Sequence, residues 1–291
     1  MKILFCTLLT LSPLFLFSQT KALVGGTLID GFGGKPIHNS VIIVEDETIV
    51  HVGHQGNTDI PDGAEVISTE GKSVLPGLWD MHVHLMINGH SDYAHWDTAY
   101  IKRFADVVMP ASAHQLLRAG ITSARDLGGP LDASLDVRDR INRGDIPGPT
   151  MYMSGPFIQH EAYPGTEAFR WGVKGASDAR QKVAHLANAG VDCIKLIDQD
   201  QMTMEEVKAV VDEAHKHNLK VVGHSHRPEE IRRGLAAGVD NFEHTGLSSA
   251  PQYPDDVMDM IRERTAQMNL CLLYTSPSPR DATLSRMPSS A

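Results

Sequence analysis

Two histidines two residues apart close the segment Leu75-Pro-Gly-Leu-Trp-Asp-Met-His-Val-His84. In a strand that spacing turns His82 and His84 to the same face. Neutral imidazoles so placed can share one divalent ion. A lone His-x-His is weak evidence, because solvated or core histidines also occur at this spacing. One that ends an apolar strand after Leu-Pro-Gly carries more weight. Three further segments carry chemistry at the ends of apolar runs. They are Val191-Asp-Cys-Ile-Lys-Leu-Ile197, His224-Ser-His226 and Phe242-Glu-His-Thr-Gly246. A solvated lysine is a poor reading of Lys195, since its run is apolar on both sides. Taken singly, His224 and His244 are ordinary core histidines. At the ends of consecutive strands they read as a set.

The elements that would position these residues follow from pattern. Residues 23–74 show short β-rich runs separated by Gly-, Asp- and Asn-rich turns, which reads as a small β-sandwich without helix. From Pro76 onward strand-like runs alternate with helical stretches. A phrase recurs at the joins: Leu116-Leu-Arg-Ala-Gly-Ile-Thr122, Leu186-Ala-Asn-Ala-Gly-Val-Asp192 and Leu235-Ala-Ala-Gly-Val-Asp240. Each predicts a helix end, a glycine in the left-handed position, and a new strand. Thr203-Met-Glu-Glu206 predicts a capping box. Six strands are expected, at 74–85, 121–127, 150–155, 191–197, 220–226 and 241–245, with 268–270 opening a seventh. Alternating strand and helix predicts parallel βαβ units. The fold class is therefore α/β: an incomplete TIM-type (β/α) barrel of about six of eight units, residues 76–270, after a β-sandwich at 19–75.

Both ends are set apart. Lys2 followed by the apolar run Ile3 to Phe17 and Ser18-Gln19 reads as a signal peptide at 1–18, too short to span a bilayer comfortably. It implies export to a periplasmic or extracellular space without stable membrane insertion. Cys271-Leu-Leu-Tyr-Thr-Ser-Pro-Ser-Pro-Arg-Asp281 and Ser285 to Ala291 resemble a translated sequencing adapter, so 271–291 is expected to be a non-native disordered tail. With a net charge of −10 and no basic run, the chain is a poor partner for nucleic acid. Between these two ends Cys193 is the one cysteine, so no internal disulfide is expected there.

In the order and spacing of these motifs the chain resembles the amidohydrolase superfamily, in its imidazolonepropionase-like and prolidase-like branch. Gly120-Ile-Thr-Ser-Ala-Arg-Asp-Leu-Gly128 and Cys193-Ile-Lys195 belong to the same set. The resemblance implies metal ligands at His82, His84, Lys195, His224 and His244, with Lys195 carboxylated and bridging two divalent ions, zinc by preference. It implies a metal-activated water that attacks an amide, cyclic amide or dipeptide carbonyl. His160 and His226 are expected to contact substrate, and Arg125-Asp126 to form a structural pair. The aspartate that the family places after an eighth strand has no counterpart here, so no catalytic residue is assigned. The chain is expected to be a truncated and inactive fragment of an enzyme whose full-length form is open to homo-oligomerisation. Two other readings stay open: a mononuclear imidazolonepropionase- or deaminase-like enzyme, and an inactive fragment that only binds metal. Lys195 argues against the mononuclear reading, as does His-Ser-His where deaminases of the superfamily carry His-x-x-Glu.

Overall fold

The chain divides at Pro76/Gly77 into two units. The computed structural model describes residues 20–87, 92, 95, 98–244, 252–266 and 271–272. The expected signal peptide lies outside the described residues, as do residues 268–270 and 273–291. Among the described residues no helix is long and apolar enough to cross a membrane.

The first unit is built from β1 (Thr20–Val24), β2 (Thr27–Leu28), β3 (Ser40–Glu45), β4 (Thr48–His54), β5 (Glu65–Ser68) and β6 (Ser73–Val74). One sheet has the order β4-β3-β1-β5, and β2 pairs with β6 in a second, two-stranded sheet. No helix occurs among its described residues. Asp46 adopts φ +52° in the β3–β4 turn, a conformation that aspartate tolerates better than most residues. Ala22, Val41 and Ile43 form its small core.

The second unit alternates strand and helix. Its elements are β7 (Leu78–Val83), α1 (Met109–Arg118), β8 (Ile121–Asp126), α2 (Leu131–Asn142), β9 (Thr150–Met153), β10 (Phe157–Gln159) and β11 (Arg170–Gly172). They continue with α3 (Gly175–Ala189), β12 (Cys193–Leu196), α4 (Met204–Lys216), β13 (Lys220–His224), α5 (Pro228–Ala237), β14 (Asn241–Glu243), α6 (Asp255–Ala266) and β15 (Cys271–Leu272). A π-helical turn, Phe104–Val108, leads into α1. Every strand pair in this unit is parallel. Strands β7-β8-β9 form one sheet and β11-β10-β12-β13-β14-β15 the other. They meet where the Asp192 amide donates to the Met153 carbonyl (2.8 Å) and the Met153 amide to the Asp192 carboxylate (2.8 Å).

The six expected strands are present, each shorter than its apolar run. Gly120, Gly190 and Gly238 take φ of +87°, +90° and +93° at the three repeated joins. The capping box forms as expected: Thr203 Oγ1 accepts from the Glu206 amide (3.2 Å), and Glu206 Oε2 from the Thr203 amide (2.8 Å). Three features depart from expectation. Strands β10 and β11 are additional; at three residues each they are too short to show a period. Cys271 and Leu272, placed in the tail by their resemblance to a translated adapter, pair in parallel with β14. Arg125 and Asp126 do not pair with each other, because adjacent strand residues face opposite ways. Arg125 reaches the Met81 carbonyl and Glu243, whereas Asp126 accepts from the Leu85 and Gly128 amides (both 2.9 Å).

The larger core lies between the helices and the second sheet, with Ile194, Leu196, Val210, Val221 and Phe242 buried in it. A second cluster gathers Phe104, Met109, Met153, Phe157 and Phe169 around the other sheet. Burial of such side chains is the main force fixing the strands in parallel register.

Candidate metal centre

The strands bring five of the expected residues to one place. His82 lies on β7 and His84 just past it. Lys195 is on β12, His224 ends β13, and His244 follows β14. The Nε2 atoms of His82 and His84 are 3.1 Å apart. Two nitrogens on one zinc, each at about 2.0–2.1 Å and tetrahedrally arranged, stand roughly 3.3 Å apart. The His244 ring centre lies 4.4 Å from that of His82 and 4.8 Å from that of His224. His84, Lys195, His224 and His244 line a common cavity of about 240 Å³ with Phe157, Tyr163, Arg170 and Asp198.

Electrostatics fit cation binding. Burial, followed by the charge of Lys195, holds His82 and His224 down at about pKa 2, and His244 at about 4. Burial and His82 hold His84 well below its ordinary value. All four imidazoles are thus neutral and available as ligands at pH 7. Lys195 is 1% exposed, and among the described residues its Nζ has no hydrogen-bond partner. An unpartnered buried ammonium is costly, and burial lowers the Lys195 pKa to about 8. The donor set, four neutral imidazoles around a buried amine, therefore fits a divalent cation.

Further groups hold the cluster in place. Glu243 is fully buried and binds His82 Nδ1 through Oε2 (2.8 Å) and Arg125 Nη2 through Oε1 (2.5 Å). Burial raises its pKa, while Lys195 and Arg125 oppose that shift. Beside a guanidinium the carboxylate is ionised, so His82 Nδ1 is the donor. That tautomer leaves the Nε2 lone pair free to face His84. Gln199, also fully buried, donates from Nε2 to the His224 carbonyl (2.7 Å). Ser225 Oγ donates to the Glu243 carbonyl (2.5 Å), tying the end of β13 to β14.

Strand alternation alone would send Glu243 and His244 to opposite faces. His244 instead adopts φ +56°, and the turn in the chain lets both residues reach His82. Left-handed non-glycine residues concentrate at functional sites because surrounding structure must hold them there.

The two expected substrate residues separate. His226 joins the cluster: one of its ring nitrogens lies within 4.8 Å of one from each of His224 and His244, and it stacks on His244 at 4.9 Å. His160 is exposed and is not among the described residues lining the cavity. A second acidic group, Asp198, Asp200 and Glu230, already holds the Arg227 guanidinium. Cys193 is buried, and burial raises its thiol to about pKa 12, which leaves it inert.

Sequence reasoning missed Glu243, Gln199 and Arg170. The signal for Glu243 was present, since a carboxylate inside Asn241-Phe-Glu-His244 requires a partner.

Histidines thus gather at the strand ends of a parallel β/α array. The chain matches the Amidohydrolase family over residues 73–288 and belongs to that family. It is 27% identical to an ochratoxinase of Aspergillus niger over 298 residues, covering 87% of this chain and 59% of that protein. A putative prolidase from Bifidobacterium longum superposes with a TM-score of 0.66 at 30% identity, over 84% of this chain and 57% of that one. Phenylurea hydrolase B, at 22% identity, shares the fold with a TM-score of 0.76 over 91% of this chain and 67% of its own. The chain thus spans about three fifths of the length of the curated ochratoxinases it matches.

Proposed function

We propose that this chain belongs to an exported hydrolase of carbon–nitrogen bonds in amides, cyclic amides or dipeptides, with two divalent ions at its centre. The observation that carries this reading is the buried Lys195 amine, without a hydrogen-bond partner among the described residues, beside four histidines whose pKa values are held low. His82 and His84 would hold one ion, His224 and His244 the other, and Lys195 would bridge them. Bound there, divalent ions such as zinc polarise a carbonyl and lower the pKa of water toward neutrality.

The side chains prepare that chemistry. A pKa of about 8 leaves roughly a tenth of Lys195 as free amine at pH 7. That amine can add to the carbon of CO2 and lose a proton, giving an anionic carbamate. Glu243 fixes the tautomer of His82, and Gln199 fixes the backbone of His224. The names of the relatives, ochratoxinase and prolidase, support a small-molecule amide or dipeptide substrate.

Metal analysis of the purified chain tests the reading. Two zinc ions per chain, falling in Lys195→Ala, support it. One ion that is insensitive to Lys195→Ala supports the mononuclear alternative. The 59% coverage of the curated relatives supports the further reading that this chain is a truncated form without turnover of its own. Robust zinc-dependent amide hydrolysis by the 291-residue chain would overturn it. Export rests on residues 1–18, and N-terminal sequencing of the mature protein tests it.

A further inference from the structure

Asp126 ends β8 and is 1% exposed, and the hydrolytic chemistry makes no use of it. Its two carboxylate oxygens divide between two stretches of backbone. Oδ2 accepts from the Leu85 amide and Oδ1 from the Gly128 amide, both at 2.9 Å. Burial lifts its pKa to about 7 against the pull of those two amides. A carboxylate at such a depth costs stability that an apolar side chain would not. Packing gives no reason for the charge, whereas its two contacts do.

Both contacts bear on His84. Strand β7 ends at Val83, the residue before it. The Leu127 amide donates to the Val83 carbonyl (2.9 Å), and Asp126 takes the Leu85 amide. The two peptide units that flank His84 are thus tied to β8, one by backbone and the other by the carboxylate. The carboxylate takes the place that a strand carbonyl would hold in a continuing parallel ladder. Its other oxygen fixes Gly128. A Cβ on Gly128 would collide with the Phe157 ring. That ring stands edge-on to His84, with 5.5 Å between centres. The Gly128 backbone also acts on the His84 ring directly, opposing part of the lowering that burial imposes on its pKa. One buried carboxylate therefore reaches His84 twice, at its backbone and, through Gly128, beside its ring.

We propose that Asp126 is a positioning residue that sets His84 for metal, and thereby governs the affinity of the ion that His82 and His84 share. The inference rests on the metal-centre reading above and deepens it at one ligand. A ligand held in place beforehand needs no ordering when its ion arrives, so loosening the hold weakens binding. Asp126→Asn keeps the shape of the side chain but turns one oxygen into an NH2 group. That group must face an amide donor, so either Leu85 or Gly128 loses its acceptor.

Histidine-ring NMR of the metal-free full chain and a two-step titration with cobalt(II) against a chelator test the proposal. In Asp126→Asn the His84 ring signals should shift and broaden, with those of His224 and His244 unmoved. One cobalt step should weaken by about tenfold or more and the other by less than about twofold, with a changed visible cobalt absorption. His84→Ala, which removes the ligand itself, should weaken the same step. Gly190→Ala strains the backbone before β12 and controls for lost stability alone; it should change neither step. Should thermal melting show Asp126→Asn unfolded, Asp126→Glu carries the comparison, with both oxygens kept and moved by one methylene. Unmoved His84 signals or unchanged cobalt affinities overturn the proposal. So do two cobalt steps that weaken alike, or a Gly190→Ala chain that behaves like Asp126→Asn. Failure of the dinuclear reading shows separately, as fewer than two cobalt ions on the parent chain beside a His84 ring that still responds to Asp126→Asn.

Discussion

His82 binds two different partners through its two nitrogens, Glu243 at Nδ1 and His84 at Nε2. Replacing Glu243 by Gln removes the charge that holds this tautomer and leaves Arg125 facing a neutral amide. Zinc affinity is expected to fall about 10–100-fold, as for other carboxylates behind a histidine ligand, and competition against a chelator measures it. The cluster also sets a pH response. The folded-state values of about 2 for His82 and His224 and about 4 for His244 lie below the ordinary 6.5. As pH falls below about 6.5 the unfolded chain takes up protons that the folded chain refuses. Stability that is fully present above 6.5 is therefore lost progressively as pH falls toward these folded-state values. Urea midpoints of the metal-free protein should drop between pH 7 and pH 5; a flat profile would contradict a buried neutral cluster. Lys195 was legible from an apolar run that left no other use for a charge. That Glu243 partners His82 was not legible, because strand alternation puts Glu243 and His244 on opposite faces and only the φ +56° turn at His244 brings both to His82.

At the level of elements, the repeated helix-end phrase was readable because its physics is local. A glycine in the left-handed position needs no tertiary context to be recognised. No atom stands within 4 Å of a methyl placed on Gly190, so Gly190→Ala tests the backbone term alone. At φ +90° it should cost about 1–2 kcal/mol, read from urea unfolding, with Gly190→Asn costing less. Strands β10 and β11 were not readable for the opposite reason. Phe157, Ile158 and Gln159 are all buried, so no alternation distinguishes a core face from a solvent face. Their pairing depends on Phe169 and Trp171, which arrive from the far side of a loop.

For the whole molecule, composition and the strand–helix rhythm were enough to indicate parallel β/α architecture, while closure depends on partners distant in sequence. Among the described residues β7 and β15 each have one neighbouring strand in their sheets. In the first unit, Ile49, Val50 and Val66 are exposed on β4 and β5. Open strand edges and apolar faces promote association. Sedimentation velocity of the 291-residue chain is expected to show concentration-dependent self-association, and a sharp monomer at every concentration would contradict this.

The left-handed backbone at His244 sets backbone ease against metal binding. Glycine would adopt φ +56° with less strain than any side-chain-bearing residue. His244→Gly should therefore relax the backbone, and by removing a half-buried imidazole it should also lessen acid sensitivity. The metal-free variant is expected to melt no lower than the parent while its zinc affinity collapses. Durability and zinc affinity are thus opposed at this one position.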